Sequence, residues 1–188
     1  MKADEVKARV AQYWRYDKQC PLVAFEAENG ADVLVVTKTG QLIETEVKVS
    51  ISDLHADLQK SKHLLFYRSF FGEEPADWKV AKLAGWRDRI RREKFFGRYL
   101  RVNETYAFYF AVPSELVVKV KEVIEKKYPW AGLLEVGDRM YNGSYVSVAK
   151  KPRRFTVPKV GILRLARMAR DMSATLVRLA LNGSDMQI

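Results

Sequence analysis

Cysteine and histidine are scarce in this sequence of 188 residues. The single cysteine, Cys20, excludes an intrachain disulfide and any cysteine-rich zinc site. The two histidines, His55 and His63, would lie about 80° apart around a helix, which is a poor alignment for a shared ligand site. We expect both histidines to be exposed or partly buried. Disulfide scaffolds and zinc modules are therefore excluded as classes for this chain.

Long apolar segments are also absent. The longest apolar run, residues 106–112, is far too short to cross a bilayer. The first seven residues, Met-Lys-Ala-Asp-Glu-Val-Lys, show no apolar signal region. We therefore expect a soluble cytoplasmic protein without a membrane partner. Hydrophobic residues nevertheless make up 48% of the chain, which is enough to bury a core and excludes wholesale disorder.

Acidic residues are too few to balance the basic ones, and the deficit is local. The chain holds 33 Lys and Arg against 23 Asp and Glu, a formal net charge of +10. Residues 1–149 carry 24 basic and 21 acidic residues, whereas residues 150–180 carry nine basic and one acidic. We call residues 150–188 the basic arm. Its charge indicates a polyanionic partner, either a nucleic acid or an anionic membrane surface.

Hydrophobic periodicity predicts a mixed-sheet α/β domain over residues 1–149, followed by the basic arm. Helices are predicted at 3–17, at 114–127, at 161–181 and from Ser50 onward, where Ser50 is the predicted cap with Asp53 three residues on. Strands are predicted at 22–27, 31–37, 41–49, 105–112, 132–136 and 145–149. Between them, residues 68–103 mix ten basic residues with aromatic ones and are predicted to form a helical insert.

The most informative stretch is the third predicted strand. Glu44, Glu46 and Lys48 alternate along it, so their side chains leave one face of the sheet. The preceding loop, residues 38–40, ends in glycine, as a three-residue hairpin loop prefers. Under that loop Thr37 pairs with Gln41, and the same register places Asp32 opposite Glu46.

Facing carboxylates repel each other, so this arrangement is unfavourable in a sheet unless a cation occupies it. Mg²⁺ prefers oxygen ligands and keeps several waters, which suits Asp32 and Glu46, with Glu44 one step along the same face. Lys48 adds a point charge that is able to hold a phosphate or a nucleophilic water. A metal, carboxylates and a lysine together are the components for hydrolysing a phosphodiester.

These motifs resemble the PD-(D/E)XK nuclease superfamily, and most closely the MmcB-type DNA-repair proteins. The resemblance rests on Gly-Ala-Asp-Val at 30–33 and Glu-Val-Lys at 46–48. It continues in Ser50, Asp53 and Asp57, in Tyr-Phe-Ala-Val-Pro at 109–113, in Ala-Gly-Leu-Leu at 131–134 and in the basic helix from Leu163 to Leu179, and it omits the insert. It implies a restriction-endonuclease-like fold with Asp32 and Glu46 as ligands of Mg²⁺ or Mn²⁺ and Lys48 as the catalytic lysine.

Further roles follow from the same resemblance. Glu5 is the candidate for an additional metal ligand from the first helix. For Glu44, strand alternation leaves two roles open: it either assists the metal or forms an outward salt bridge. Gln59 and Lys60 are candidates for auxiliary polar contacts on the next helix, where a solvated helix face is the competing interpretation.

The expected function is that of a metal-dependent DNA endonuclease-like protein of DNA repair or recombination, associated with the nucleoid when bound to DNA. The arm residues expected to contact DNA phosphates are Lys150, Lys151, Arg153, Arg154, Lys159, Arg164 and Arg167. A non-catalytic DNA-binding accessory protein with the same fold and a restriction-type endonuclease are the alternatives. Cleavage of both strands would usually require a homodimer.

Overall fold

The fold is taken from a computed structural model of the chain. It describes residues 1–26, 31–57, 63, 66, 70, 105–170 and 172–173. Gln59, Lys60 and, apart from Phe70, the predicted insert at 68–103 lie outside the described residues. The predicted helix at 161–181 is described mainly over residues 162–170, which are helical.

Six strands form one mixed sheet in sequential order. They are β1 (Leu22–Phe25), β2 (Val33–Val36), β3 (Leu42–Val47), β4 (Thr105–Pro113), β5 (Gly132–Tyr141) and β6 (Ser144–Lys150). The pairs β1–β2, β2–β3 and β5–β6 are antiparallel, and the pairs β3–β4 and β4–β5 are parallel. The predicted mixed sheet flanked by helices is confirmed.

The described residues include the helices α1 (Ala3–Gln12), α2 (Ile51–Asp57) and α3 (Val117–Lys127), besides the helical residues 162–170 of the basic arm. A π-helical turn, Tyr13–Asp17, continues α1, and a 3-10 turn, Ser114–Leu116, precedes α3. The parallel connections from β3 to β4 and from β4 to β5 contain α2 and α3, as crossovers between parallel strands require. Among the described helices, none has the length and apolar composition needed to span a bilayer.

The face of the sheet that packs against α1 is apolar. Val6 and Val10 of α1 are fully buried against strand residues of this face. Those strand residues include Val33, Val35, Ile43, Val47, Ala107, Tyr109, Leu134 and Val136. The apolar stripe of α1 packs on the apolar face that strand alternation gives the sheet. Hydrophobic burial therefore fixes the position of α1.

The opposite face carries two apolar clusters. One joins Leu54 of α2 and Ile124 of α3 to Phe108 and Phe110 of β4. The other lies over β1–β3 and includes Met168, which is 2% exposed, together with Leu34 and Leu42. Residue 168 belongs to the basic arm, so the arm packs on this face of the sheet.

The β2–β3 hairpin has the predicted register. Val33 pairs with Thr45 and Leu34 pairs with Glu44, and the Thr37 N–H donates to the Gln41 carbonyl at 2.9 Å. Gly40 closes the loop with a φ of 79°, the left-handed conformation that glycine adopts without strain. The hairpin prediction is confirmed over these residues.

Candidate active site

Asp32 lies directly before β2, at the open end of the hairpin. The register of β2 and β3, continued by one residue beyond the Val33–Thr45 pair, places it opposite Glu46. Its Oδ2 accepts a hydrogen bond from the Val47 N–H at 2.8 Å. The carboxylate is thereby attached to the peptide that joins Glu46 to Val47.

The other oxygen of Asp32 faces a lysine that the sequence analysis did not identify. Lys7 Nζ lies 3.1 Å from Asp32 Oδ1 and 3.1 Å from Glu26 Oε1. Burial lowers the pKa of Lys7, but the hydrogen bonds to Glu26 and Asp32 outweigh that effect and raise it above the ordinary 10.5. Both oxygens of Asp32 therefore have donors within the protein.

Glu46 and Lys48 form a buried ion pair on β3 and the residue that follows it. Lys48 Nζ lies 3.3 Å from Glu46 Oε2. Lys48 is 4% exposed and Glu46 is 2% exposed. The Lys48 N–H donates to the Ala111 carbonyl of β4 at 2.9 Å, which fixes its backbone. Burying two opposite charges is favourable only when their geometry and further contacts compensate the lost hydration.

Helix α2 brings more carboxylates to Lys48. Its start is capped by Ser50, whose Oγ accepts the Asp53 N–H at 3.1 Å, as predicted. Asp53 and Asp57 are four residues apart and share one helix face. Their Oδ1 atoms lie 4.0 Å and 3.3 Å from Lys48 Nζ. Because α2 follows β3 almost directly, Lys48 is enclosed by its own strand and by the next helix.

Asp57 also contacts His63. Asp57 Oδ2 and His63 Nε2 are 2.7 Å apart, and the residues are 1% and 2% exposed. The expectation of an exposed or partly buried His63 is therefore wrong, because the ring packs among aromatic side chains. Asp57 had a detectable signal: it lies three residues after the buried Leu54 and thus on the same helix face. The spacing of His63 offered none.

Glu44 and Glu5 take different positions. Glu44 is 3% exposed and accepts a hydrogen bond from the Thr105 hydroxyl of β4, so it does not point outward. Glu5 pairs with Arg9 of its own helix, with Oε1 and Nη2 2.6 Å apart. Residues two apart on a helix diverge, so α1 directs Lys7, and not Glu5, toward Asp32.

The donor chemistry at Asp32 and Glu46 fits a hard divalent cation in part. Two carboxylates suffice for Mg²⁺ when waters and substrate phosphates complete its shell. Among the residues that the structure describes, no group of three or more His, Cys, Asp or Glu is arranged to hold a metal ion. Within the described part of the chain, a bound cation would have the carboxylates of Asp32 and Glu46 as ligands, and it would compete with Lys7 for Asp32 and with Lys48 for Glu46.

The first part of the basic arm is attached by backbone hydrogen bonds to β4 and to the residues that lead into β5. Arg153 N–H donates to the Trp130 carbonyl and Phe155 N–H to the Tyr106 carbonyl, both at 2.8 Å. Further along, Val160 N–H donates to the carbonyl of residue 40 at 2.8 Å. The arm thus follows the molecule from β5 to the β2–β3 hairpin.

The predicted phosphate-binding residues of the arm are not equivalent. Lys150 donates to the carbonyls of Pro129, at 2.9 Å, and Ala131, and burial lowers its pKa. Arg164 is half-buried. The predicted residues with exposed side chains are Lys151, Arg153, Arg154, Lys159 and Arg167.

Comparison with known proteins supports the fold alone. No protein-family model matches the sequence, and no curated protein matches it. Among solved structures, a protein of unknown function from Silicibacter pomeroyi is similar. The alignment covers 100% of this chain and 94% of that protein, with a TM-score of 0.50 and 14% sequence identity. At this identity the likeness concerns architecture and carries no activity or partner.

Proposed function

We propose that the protein is a metal-dependent deoxyribonuclease of DNA repair or recombination, with a restriction-endonuclease-like core. One observation carries the proposal: Lys48 Nζ lies 3.3 Å from Glu46 Oε2 on a hairpin whose register brings Asp32 to the adjacent peptide. Carboxylates and a lysine in this arrangement supply the groups needed for phosphodiester hydrolysis.

In this proposal Asp32 and Glu46 hold Mg²⁺ or Mn²⁺. The ion, when bound, polarises the scissile phosphate and lowers the pKa of a coordinated water. Lys48 orients the attacking water and offsets the negative charge that develops on the phosphate. The buried position of Lys48 strengthens its electrostatic effect, because little water screens it.

The basic arm supplies affinity for DNA. Its exposed residues Lys151, Arg153, Arg154 and Lys159 lie on a segment that the sheet holds in place. Lys and Arg side chains that neutralise phosphates release counterions and bind without regard to base sequence. We therefore expect the arm to hold the DNA backbone while the choice of DNA structure is made elsewhere.

A second candidate, a non-catalytic DNA-binding accessory protein, is favoured by two specific observations. Both Asp32 oxygens have protein donors, and the Glu46–Lys48 pair is almost completely buried. In that function the same residues would stabilise the hairpin end, and the basic arm would still bind DNA. Restriction-type cleavage has no comparable observation in its favour.

The test of catalysis is incubation of the protein with supercoiled, linear and branched DNA, with and without Mg²⁺ or Mn²⁺. Wild-type protein should cleave at least one of these substrates only with the metal, and Asp32→Asn should not cleave. Glu125→Gln, at an exposed site on α3, is the matched control and should cleave normally. Metal-dependent cleavage that persists in Asp32→Asn would place the active site elsewhere, and binding without cleavage would favour the accessory protein.

The test of DNA binding is the salt dependence of affinity. Changing Lys151, Arg153, Arg154 and Lys159 to Gln should flatten the slope of log affinity against log salt by about three to four units, since each duplex phosphate contact contributes about 0.9. The matched control changes the exposed α3 residues Lys119, Lys121, Lys126 and Lys127 to Gln. An equal loss of slope in both variants would mean that the arm contributes only its net charge and is not a specific DNA contact surface.

A further inference from the structure

Two carboxylates from different elements hold the ammonium group of Lys48. Glu46 Oε2 and Asp57 Oδ1 each lie 3.3 Å from Nζ. Glu46 belongs to β3 and Asp57 is the last residue of α2. The position of the lysine is thus fixed by the sheet on one side and by the following helix on the other.

His63 in turn fixes Asp57. Its Nε2 lies 2.7 Å from Asp57 Oδ2, so the two oxygens of one carboxylate serve two different partners. An ionised carboxylate only accepts hydrogen bonds, so we assign the proton of this contact to Nε2. The imidazole is held by the rings of Phe108, Phe110 and Tyr128, with centroids 5.4, 5.7 and 5.1 Å away.

Stability alone does not account for the burial of these three ionisable side chains. Asp57, His63 and Lys48 are each at most 4% exposed. At such depth the loss of hydration cancels much of the attraction within an ion pair, and apolar residues of similar volume often serve stability as well. What the ionic arrangement provides in addition is a defined direction for each side chain.

We propose that Asp57, held by His63, is the positioning residue that keeps the Lys48 ammonium group in place when Glu46 binds a metal ion. The inference rests on the proposed function, since Glu46 and Lys48 take their roles from it. In that function Glu46 has two cations to serve, and a divalent ion draws its charge away from Lys48. Asp57 is not one of the two metal ligands in that function, so its contact with Lys48 is retained.

The direct test is nuclear magnetic resonance of the lysine ammonium groups in DNA-free protein. Ammonium protons exchange too fast to be seen unless they are buried and hydrogen-bonded, so Lys48 should give a protected signal, assigned by its loss in Lys48→Arg. Wild-type protein should keep this signal when Mg²⁺ is added. In Asp57→Asn the signal should be weakened without Mg²⁺ and lost with it.

Substitutions of His63 provide a second route that leaves every charged partner of Lys48 in place. His63→Gln retains an N–H donor for Asp57 and should preserve the signal in Mg²⁺. His63→Phe removes the donor while filling the aromatic pocket, and it should lose the signal in Mg²⁺. Asp4→Asn, at an exposed residue of α1, is the matched acid-to-amide control and should match the wild type.

Cleavage assays complete the test and separate the two proposals. Asp57→Asn should lower kcat by roughly 10- to 100-fold, as expected for a residue that orients a catalytic group, with KM for DNA unchanged. A protected Lys48 signal that survives Mg²⁺ in both Asp57→Asn and His63→Phe overturns the positioning role, whatever the cleavage result. The expected signals in a protein that never cleaves DNA would support the positioning role and count against the nuclease.

Discussion

The two faces of strand β3 are buried to the same extent but by different chemistry. Ile43, Thr45 and Val47 face α1, and Ile43 and Val47 join the hydrophobic cluster on that side. Glu44 and Glu46 leave the other face, where Lys48 follows them, and none of the three is more than 4% exposed. After Leu42, which packs in an apolar cluster of that same face, the strand therefore has apolar groups on one side and ionisable groups on the other.

This difference separates what stabilises the fold from what we assign to chemistry. Apolar burial stabilises the fold by about 25 cal/mol per Å² of apolar surface removed from water. Burial of the Glu46–Lys48 pair must first overcome the hydration of both charges, and its net contribution to stability is small. Evolution of the second face for stability alone would favour apolar side chains, so its ionic content points to function.

The largest effect on stability is expected when the ammonium group of Lys48 is removed. Lys48→Met leaves the carboxylates of Glu46 and Asp57 buried without their shared partner. We expect a loss of about 3–5 kcal/mol in the free energy of unfolding together with complete loss of cleavage. Urea denaturation and the DNA-cleavage assay measure the two effects.

Two further variants make that comparison specific. Glu46→Gln combined with Lys48→Met removes one of the two buried carboxylates that Lys48 contacts. The double variant should recover part of the stability without restoring cleavage. Ile43→Ala, on the apolar face of the same strand, should cost about 2–4 kcal/mol by leaving a cavity while cleavage persists at temperatures where the variant is folded. Loss of cleavage by folded Ile43→Ala would remove the functional distinction between the faces.

Thr45 is the polar exception on the apolar face and provides a smaller effect of opposite sign. It is fully buried, and its hydroxyl has no hydrogen-bond partner among the residues that the structure describes. Thr45→Val replaces the hydroxyl by a methyl group of similar size. We expect a gain of about 1 kcal/mol in the free energy of unfolding, measured by urea denaturation, with cleavage unchanged. A destabilised Thr45→Val protein would show that the hydroxyl has a partner after all.

The fold was more predictable than the site because its signals are local. Alternation and turn chemistry predicted the β2–β3 hairpin, including its register and the left-handed Gly40, since both depend on residues close in sequence. The strand at Thr105–Pro113 and the capped start of α2 at Ser50 were predictable for the same reason. The sequential strand order was not predicted, because it depends on how the crossovers pack.

The contacts of the site join residues that are far apart or have no sequence pattern. Alternation correctly placed Glu46 and Lys48 on one face, but it could not show that this face is buried. The contacts of Lys7 with Asp32 and of His63 with Asp57 depend on where α1 and residue 63 pack against the sheet. Tertiary packing decides such pairs, and a single sequence contains no periodic signal for them.

Lys7 offers the smallest effect, at the point where α1, which covers the apolar face, contacts the candidate metal ligand Asp32. Lys7→Gln should cost up to about 1 kcal/mol, as expected for a partly exposed ion pair. The folded pKa of Lys7 is raised above the ordinary 10.5, so its stabilisation is complete below that value and is lost as pH rises through the folded pKa. The stability difference between wild type and Lys7→Gln should therefore be constant near neutral pH and shrink above 10.5. Lys2→Gln, at an exposed residue before α1, is the control and should match the wild type at every pH.

Calorimetric titration of Lys7→Gln with Mg²⁺ supplies the functional measurement, because removing a cation that competes for Asp32 should tighten metal binding. Weaker Mg²⁺ binding by Lys7→Gln would mean that Lys7 supports the metal site by orienting Asp32 and does not compete with it.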